Sequence, residues 1–342
     1  MSATGKSSSE VFSEERSDQV KRLSRKVFGR LPERVAFPGG TSRTAFIADM
    51  GDERCVFARR ENSNDAQLEG IVLKALGSTG KVPQLRAVED DWVVQQFVTG
   101  ERLPVVMDRT ENADERERLT ADALDSLHAL HEAARTVGLQ HRVPRIGVAD
   151  NWLWNRTGAA KRISVLAGIE APALDRHRLV QFMNVKRDEF VKWDARPGNA
   201  MVTPSGSVWF DWEDCGRSKA LDDLAFVICD EWSNLTVEAE QRLLNSYLPA
   251  FSGSMDRNRA HHYLRNFGIT HMLLRLRLAT KNYHRDDEWW DRDYCLAGDK
   301  VGVTAQEVSR LIDRLQRWSD GVEEWAPLTP WLCAVHDRYG LG

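Results

Sequence analysis

The chain has 342 residues, of which 42% are apolar and 29% are charged, and its net charge at pH 7 is −4. This length allows one large domain or two moderate ones with a real core. The slightly acidic balance argues against a general nucleic-acid binder, since such proteins concentrate positive charge. It suits a cationic partner, or an anion that arrives with Mg²⁺.

Cysteine use and hydropathy point to the cytoplasm. The five cysteines are widely spaced and form no C-x-x-C pair, so neither a disulfide framework nor a zinc site is indicated. No apolar run approaches the ~18 residues of a membrane helix, and the polar N-terminus lacks an apolar signal-peptide core. We therefore expect a reduced cytoplasmic protein, a monomer or a homodimer, without membrane or nucleic-acid partners.

The first hundred residues read as a short polar lead followed by a mixed helix and strand region. Residues 1–18 are Ser-rich and are expected to be disordered, and an apolar helical pattern follows over Asp18–Phe28. A second helix is predicted over Asp65–Leu76. Strand patterns occur at Arg34–Phe37, Thr44–Ala48, Arg54–Ala58, Lys81–Leu85 and Asp91–Val98.

A glycine-containing turn separates the first two strands. It holds Gly39, Gly40 and Ser42, and such a turn can bring backbone N–H groups close to phosphates. An ordinary hairpin turn explains the same residues. The choice between the two depends on the motifs further along the chain.

Beyond Gly100 the patterns are mainly helical. On the first of them, predicted over Glu115–Val137, His128 and His131 are three residues apart. A metal site needs further ligands in register, so we predict that these histidines are structural. The long helices are predicted over Glu115–Val137, Leu221–Trp232, Glu238–Phe251, Arg257–Tyr283 and Val303–Gly321.

The stretch between residues 191 and 225 carries the chemistry. A hairpin is predicted from strands Ala200–Thr203 and Ser207–Phe210, and it would bring Asn199 and Asp211 across from each other. An amide oxygen and a carboxylate form a site for a hard cation such as Mg²⁺. Asp194, on the loop before the hairpin, is placed to meet a substrate hydroxyl.

The strings WDARPGNAMV and VWFDWEDCGRSKALDDLAF resemble the signature of the aminoglycoside phosphotransferase and choline kinase-like family. That family usually reads HGD-x-x-P-G-N and then I-D-[FW]-E-x-x-x-x-G-x-x-x-x-D-L-A. The resemblance implies an α+β, bilobal protein-kinase-like fold. Its N-terminal lobe, residues 19–100, would hold a five-stranded antiparallel sheet plus a helix, and residues 101–342 would form a larger, mostly helical lobe.

The resemblance also implies a reaction, the transfer of the γ-phosphoryl group of ATP or GTP to a small-molecule hydroxyl. Asp194 would accept the hydroxyl proton, Asn199 and Asp211 would hold Mg²⁺, and Asp223 would brace the catalytic loop. The implied nucleotide contacts are Gly39, Gly40 and Ser42 at the phosphates, Arg59 paired with Glu69 (with Arg60 as the fallback for Arg59), and backbone groups of Gln96 and Val98 at a purine.

Two residues depart from the family pattern. Lys192 and Trp193 stand where His-Gly is usual, and a Trp is expected to need more room and an ordinary φ. The loop is then either rebuilt locally or has lost activity. A non-catalytic, kinase-like binding module is therefore the alternative to an enzyme.

An acidic and aromatic segment near residue 290 suggests the acceptor. Asp287, Trp289 and Asp291 could bind a cation through carboxylate pairing and cation–π contact. Aminoglycosides or choline-like amino alcohols would fit, and sugars or other hydroxyl compounds are also allowed. The alternative is an exposed acidic loop whose tryptophans pack inward.

Overall fold

The structure is a computed structural model that describes residues 8–37, 44–149 and 151–341. The chain divides into two compact units. The first comprises Met1–Thr99 and Val208–Glu213, and the second comprises Gly100–Ser207 and Asp214–Gly342. The division lies beside the predicted boundary at residue 100, except that Val208–Glu213 belongs to the first unit. The Trp209 amide donates to the Lys81 carbonyl at 2.9 Å, which ties this segment to that unit.

The first unit contains a five-stranded antiparallel sheet and two helices, α1 (Ser8–Phe28) and α2 (Ser63–Leu76). The strand order is β1-β2-β3-β5-β4, which confirms the predicted sheet. The strands are β1 (Arg34–Ala36), β2 (Ala45–Asp49), β3 (Arg54–Arg59), β4 (Leu85–Glu89) and β5 (Trp92–Gln96).

Two boundaries in this unit differ from the predictions. The fourth strand begins at Leu85 rather than at Lys81, because Pro83 has no amide hydrogen to donate to a ladder. The first helix begins at Ser8, so residues 8–18 are helical rather than a disordered lead. Residues 1–7 lie outside the described part of the chain.

One face of the sheet forms the core of the first unit. Phe46, Phe57, Trp92 and Val94 are buried there, and Val20 of α1 packs on them. Side chains alternate between the two faces of a strand. The other face of β3 therefore carries Val56 and Ala58 and leads on to Arg60.

The second unit is mainly helical. In this unit β7 (Glu189–Val191) pairs with β10 (Gly216–Ser218), and β6 (Glu101–Arg102) pairs with β8 (Ala200–Thr203). The helices are α3 (Leu103–Arg109), α4 (Ala113–Thr136), α5 (Trp152–Thr157), α6 (Ala159–Ala167), α7 (Arg176–Met183), α8 (Ala220–Ile228), α9 (Val237–Phe251), α10 (Arg257–Asp286), α11 (Arg292–Ala297), α12 (Ala305–Ser319) and α13 (Leu328–Arg338).

The long predicted helices α4, α9, α10 and α12 are present, with ends within three residues of the predicted ones. Side-chain caps fix where they begin. Asn112, Thr236, Asp256 and Thr304 each accept a hydrogen bond from an amide of the first helical turn. Among the described residues, no helix combines the length and apolar character needed to cross a membrane.

The hairpin that precedes Asp211 is present with a small shift. Its first strand, β8, has the predicted bounds, whereas the returning strand β9 (Gly206–Trp209) begins and ends one residue early. Gly206 has φ of 100°, a conformation that favours glycine, and this allows the tight turn. Asp211 therefore lies two residues beyond the strand.

Candidate active site

The loop between β7 and β8 is held by one buried carboxylate, that of Asp223 on α8. Its Oδ2 accepts the Lys192 amide at 2.7 Å and its Oδ1 accepts the Trp193 amide at 2.9 Å. His131 Nε2 lies 2.8 Å from Asp223 Oδ2. These bonds confirm that Asp223 braces the loop and give His131 the structural role predicted for it.

Trp193 keeps the left-handed backbone that the usual glycine would allow. Its φ is 50°, so the expectation of an ordinary φ is wrong. A non-glycine residue in this conformation costs about 1–2 kcal/mol. The indole packs against Trp152, Phe226 and Phe267, with ring centroids 5.8, 5.2 and 5.9 Å away. Aromatic packing therefore offsets the strain.

Asp194 follows on this loop, with φ of 44°. Arg196 donates from Nε to Asp194 Oδ1 at 2.8 Å and from Nη2 to Oδ2 at 3.2 Å. Burial favours the neutral carboxyl, but Arg196, and then Lys192 and Arg275, outweigh it and lower the pKa of Asp194 to about 2. The carboxylate is thus ionised at neutral pH and can only accept hydrogen bonds.

Asn199 lies beside Asp194 in the second unit. Its Nδ2 donates both to the Asp194 backbone carbonyl and to Asp194 Oδ2, each at 2.9 Å. These bonds fix the orientation of the amide. The amide oxygen, Oδ1, is the atom that can serve a cation.

In the first unit, Arg60 joins three carboxylates. Its Nη2 donates to Glu69 Oε1 at 2.9 Å, its Nη1 donates to Glu213 Oε2 at 2.7 Å, and Nη2 lies 3.4 Å from Asp211 Oδ1. Burial opposes the guanidinium charge, but the carboxylates, Glu69 first, raise the pKa of Arg60. Asp211 has φ of 60°, a strained conformation often found at functional sites.

The predicted pairing of Arg59 with Glu69 is wrong, and Arg60, the stated fallback, makes it. Arg59 instead donates to Asp91 Oδ2 at 2.7 Å, and its side chain is 44% exposed. Strand alternation explains the difference, because Arg59 lies on the β3 face of Cys55 and Phe57. The next residue falls on the opposite face, so the alignment of Arg59 with the kinase lysine is off by one position.

The other predicted nucleotide contacts are Gly39, Gly40, Ser42, Gln96 and Val98. Gly39, Gly40 and Ser42 lie outside the described residues. The Gln96 amide donates to the Gln84 carbonyl at 2.8 Å, so this N–H is not the group that would meet a purine. Val98 lies in the irregular segment after β5.

The predicted acceptor residues have structural contacts. Asp287 ends α10 with φ of 56°, and Asp291 caps α11 by accepting the Tyr294 amide at 2.8 Å. Trp289 packs on Tyr283 with ring centroids 4.3 Å apart. The carboxylates are exposed and the indole packs inward, as the alternative interpretation of this segment expects.

A buried acidic pair just after α8 was not among the predicted site residues. Arg275 Nε donates to Glu231 Oε2 at 2.6 Å. The neighbouring Asp230 accepts the Trp232 amide on Oδ1. Its buried Oδ2 accepts no hydrogen bond from the described residues but lies 3.7 Å from Arg275 Nε, within ion-pair distance. Burial and the Glu231 charge raise the pKa of Asp230 to about 7. Two adjacent acids in the otherwise apolar string AFVICDEW are the signal that could have found them.

Residues 33–262 match the model of the phosphotransferase enzyme family. The chain belongs to this family. Its reaction class is therefore that of a small-molecule kinase. No curated protein sequence matches the chain.

Several solved structures share the fold. An amicoumacin kinase in complex with AMP-PNP, Ca²⁺ and its ligand aligns with a TM-score of 0.57 at 14% identity, over 89% of this chain and 100% of that one. A choline kinase from Cryptosporidium parvum aligns with a TM-score of 0.51 at 14% identity, over 92% and 99%. An AMP-bound spectinomycin phosphotransferase aligns with a TM-score of 0.51 at 13% identity, over 82% and 97%.

Proposed function

We propose that this family member transfers the γ-phosphoryl group of ATP or GTP to the hydroxyl group of a small molecule. The observation that carries the proposal is the pair formed by Asp194 and Asn199. They are joined by a 2.9 Å hydrogen bond on a loop that Asp223 holds in a left-handed conformation. Strain of this kind persists only where the surrounding structure over-determines it, and it concentrates at functional sites.

We also propose that Asn199 and Asp211 hold Mg²⁺, because each side chain carries an oxygen ligand of the kind this ion takes. Mg²⁺ prefers oxygen ligands and in kinases is held by one or two side chains together with substrate phosphates. The Asn199 amide is oriented by its two bonds to Asp194, and the Asp211 carboxylate lies on a segment of restricted backbone. When bound, the ion would neutralise charge on the phosphates. The complex of the amicoumacin kinase with AMP-PNP and Ca²⁺ supports a nucleotide and a divalent cation.

Asp194 would orient the acceptor hydroxyl and take its proton. A carboxylate with a pKa of about 2 is a weak base, so early proton removal is not its main contribution. Phosphoryl transfer passes through a loose transition state in which positioning and charge stabilisation dominate. The hydroxyl could donate to Asp194 Oδ1, which accepts one bond from Arg196 and has a second lone pair, so the contact with Arg196 can remain.

Arg60 would steady the nucleotide phosphates. Its contacts with Glu69 and Glu213 hold the guanidinium plane in a fixed orientation, and a planar guanidinium matches phosphate geometry. This is the role that the resemblance assigns to the basic residue of the third strand. We assign it to Arg60 instead of Arg59.

For the acceptor, we propose an alcohol that carries an amine. Asp230 could pair with an ammonium group in place of Arg275, whose Nε lies 3.7 Å from Asp230 Oδ2. Arg196, which holds Asp194, is also within electrostatic reach of Asp230. Choline is itself a cationic alcohol, and a choline kinase shares the fold. Asp287, Trp289 and Asp291 remain the alternative contacts.

The test combines nucleotide binding with transfer. The melting temperature of the protein should rise with ATP or GTP only when Mg²⁺ is present. A panel of amines, sugars and antibiotics should then include a compound that gains phosphate. With that compound, Asp230→Asn should raise KM more than Asp287→Asn. If no nucleotide binds, the non-catalytic module is favoured and the proposal fails.

A further inference from the structure

A groove lies on the surface of the helical unit and is formed by α5, α6, α7 and α10. It encloses about 500 Å³, which is within the size range of small-molecule sites. Five of its lining residues are cations, and its lining has no carboxylate as far as the described residues show. We call it the cationic groove, after Lys161, Arg162, Arg176, Arg277 and Lys281.

Two arginines of the cationic groove, Arg162 and Arg176, are held in place by neutral groups. Arg162 donates to the Asn155 carbonyl, and Arg176 donates to Thr157 Oγ1 at 3.2 Å and to the Trp154 carbonyl. None of the five cations forms an ion pair with a carboxylate of the described chain. The charges of Arg162 and Arg176 are therefore held in position, and no carboxylate among the described residues compensates any of the five.

The close spacing of these positive charges is electrostatically unfavourable. Burial, and then the charges of Arg277 and Arg176, lower the pKa of Arg162. The Nε atoms of Arg162 and Arg277 are buried and have no hydrogen-bond partner in the described structure. The chain as a whole has a net charge of −4, yet no acidic residue lines this groove among the described residues. An anion in the groove would relieve the repulsion between these charges.

Apolar surface adjoins these cations. Val165 is 75% exposed and Trp154 is 38% exposed, although both side chains are large and apolar. Arg176 stacks on the Trp154 ring at 3.7 Å and keeps it in place. A ligand for this groove would therefore combine an anionic group with an apolar or aromatic body.

We propose that the cationic groove binds an organic phosphate, with its phosphate on Arg162 and Arg277 and its apolar body on Val165 and Trp154. Guanidinium groups suit phosphate because they donate paired, planar hydrogen bonds. The groove is not the phosphoryl-transfer site. Helix α5 turns Trp152 and Arg156 toward Trp193 of the catalytic loop, whereas Trp154 and Asn155 line the groove.

The test is calorimetric titration with 1-naphthyl phosphate in the presence of saturating AMP-PNP and Mg²⁺, which occupy the nucleotide site. We expect binding at one site, weakened by added salt. Inorganic phosphate and 1-naphthol, which each carry half of the recognised chemistry, should bind at least about tenfold more weakly.

Arg277→Glu should weaken the binding of naphthyl phosphate by about tenfold or more, since it places a carboxylate against the phosphate. Arg259→Glu changes the net charge equally, about 27 Å away along α10, and should change the affinity less than twofold. Lys161→Glu repeats the test at an exposed side chain in case Arg277→Glu does not fold. No binding to the wild-type protein, or equal binding by the groove variants, would overturn the proposal.

Discussion

The pairing of Arg60 with Glu69 gives the sharpest quantitative prediction. Glu69 is fully buried, and Arg60 supplies its bidentate partner. Arg60→Met would leave an uncompensated buried carboxylate, which typically costs about 3–5 kcal/mol. Arg59→Met removes only the pair with Asp91, where the Arg59 side chain is 44% exposed, and should cost less than about 1 kcal/mol.

Hydrogen exchange of the amides in β3 and α2 measures this difference, because it reports the opening free energy of that part of the chain alone. Arg59→Met is the matched control, since the two variants differ by one position. A double variant, Arg60→Met with Glu69→Leu, should recover much of the loss by removing the buried charge. If Arg59→Met destabilises these amides as much as Arg60→Met does, the corrected pairing is refuted.

Three further results are expected. Trp193→Gly and Trp193→Ala both lose the indole packing and should be destabilised by roughly 2–4 kcal/mol. In urea unfolding the glycine variant should be about 1 kcal/mol more stable than the alanine variant, because φ at this position is 50°. Equal stability of the two variants would contradict the inference that the backbone of Trp193 is strained. Asp230→Asn should gain stability relative to wild type as pH rises from 5 to 8, by a few kcal/mol at most. The pKa of Asp230, raised to about 7, makes the wild-type protein lose stability over that range, whereas asparagine does not titrate; a pH-independent difference would contradict this. Asp223→Asn should lower kcat at least about tenfold with little change in the KM for nucleotide, because Asp223 positions the loop without contacting substrate; an unchanged kcat would rule out the brace.

The sequence allowed much of the fold to be predicted because its patterns are strong and local. The alternation of β2 and the string WDARPGN each depend on residues that are close in the chain. The predicted start of the fourth strand was wrong because Pro83 has no amide hydrogen to donate to the sheet, although apolar residues surround it. The choice between Arg59 and Arg60 depends on which face of β3 each side chain occupies. That assignment follows from the pairing of β3 with other strands.

The features that were missed depend on distant contacts. The aromatic surroundings of Trp193 come from α5, α8 and α10, and they explain how a tryptophan occupies a glycine position. The bidentate contact of Arg196 with Asp194 depends on side-chain conformations that spacing does not reveal. The burial of Asp230 and its ion pair with Arg275 depend on the packing of α10.

The central claim is that Asp194 and Asp211 carry phosphoryl transfer, and labelled phosphate tests it most directly. With γ-labelled nucleotide, Mg²⁺ and an acceptor from the panel, the wild-type protein should label the acceptor. Asp194→Asn and Asp211→Asn should lose this activity while they keep the wild-type melting temperature to within a few degrees. Asp90→Asn is the matched control, an exposed aspartate that also has a left-handed backbone, with φ of 52°, and it should retain full activity. Labelling of the acceptor by either site variant at the wild-type rate would contradict the account.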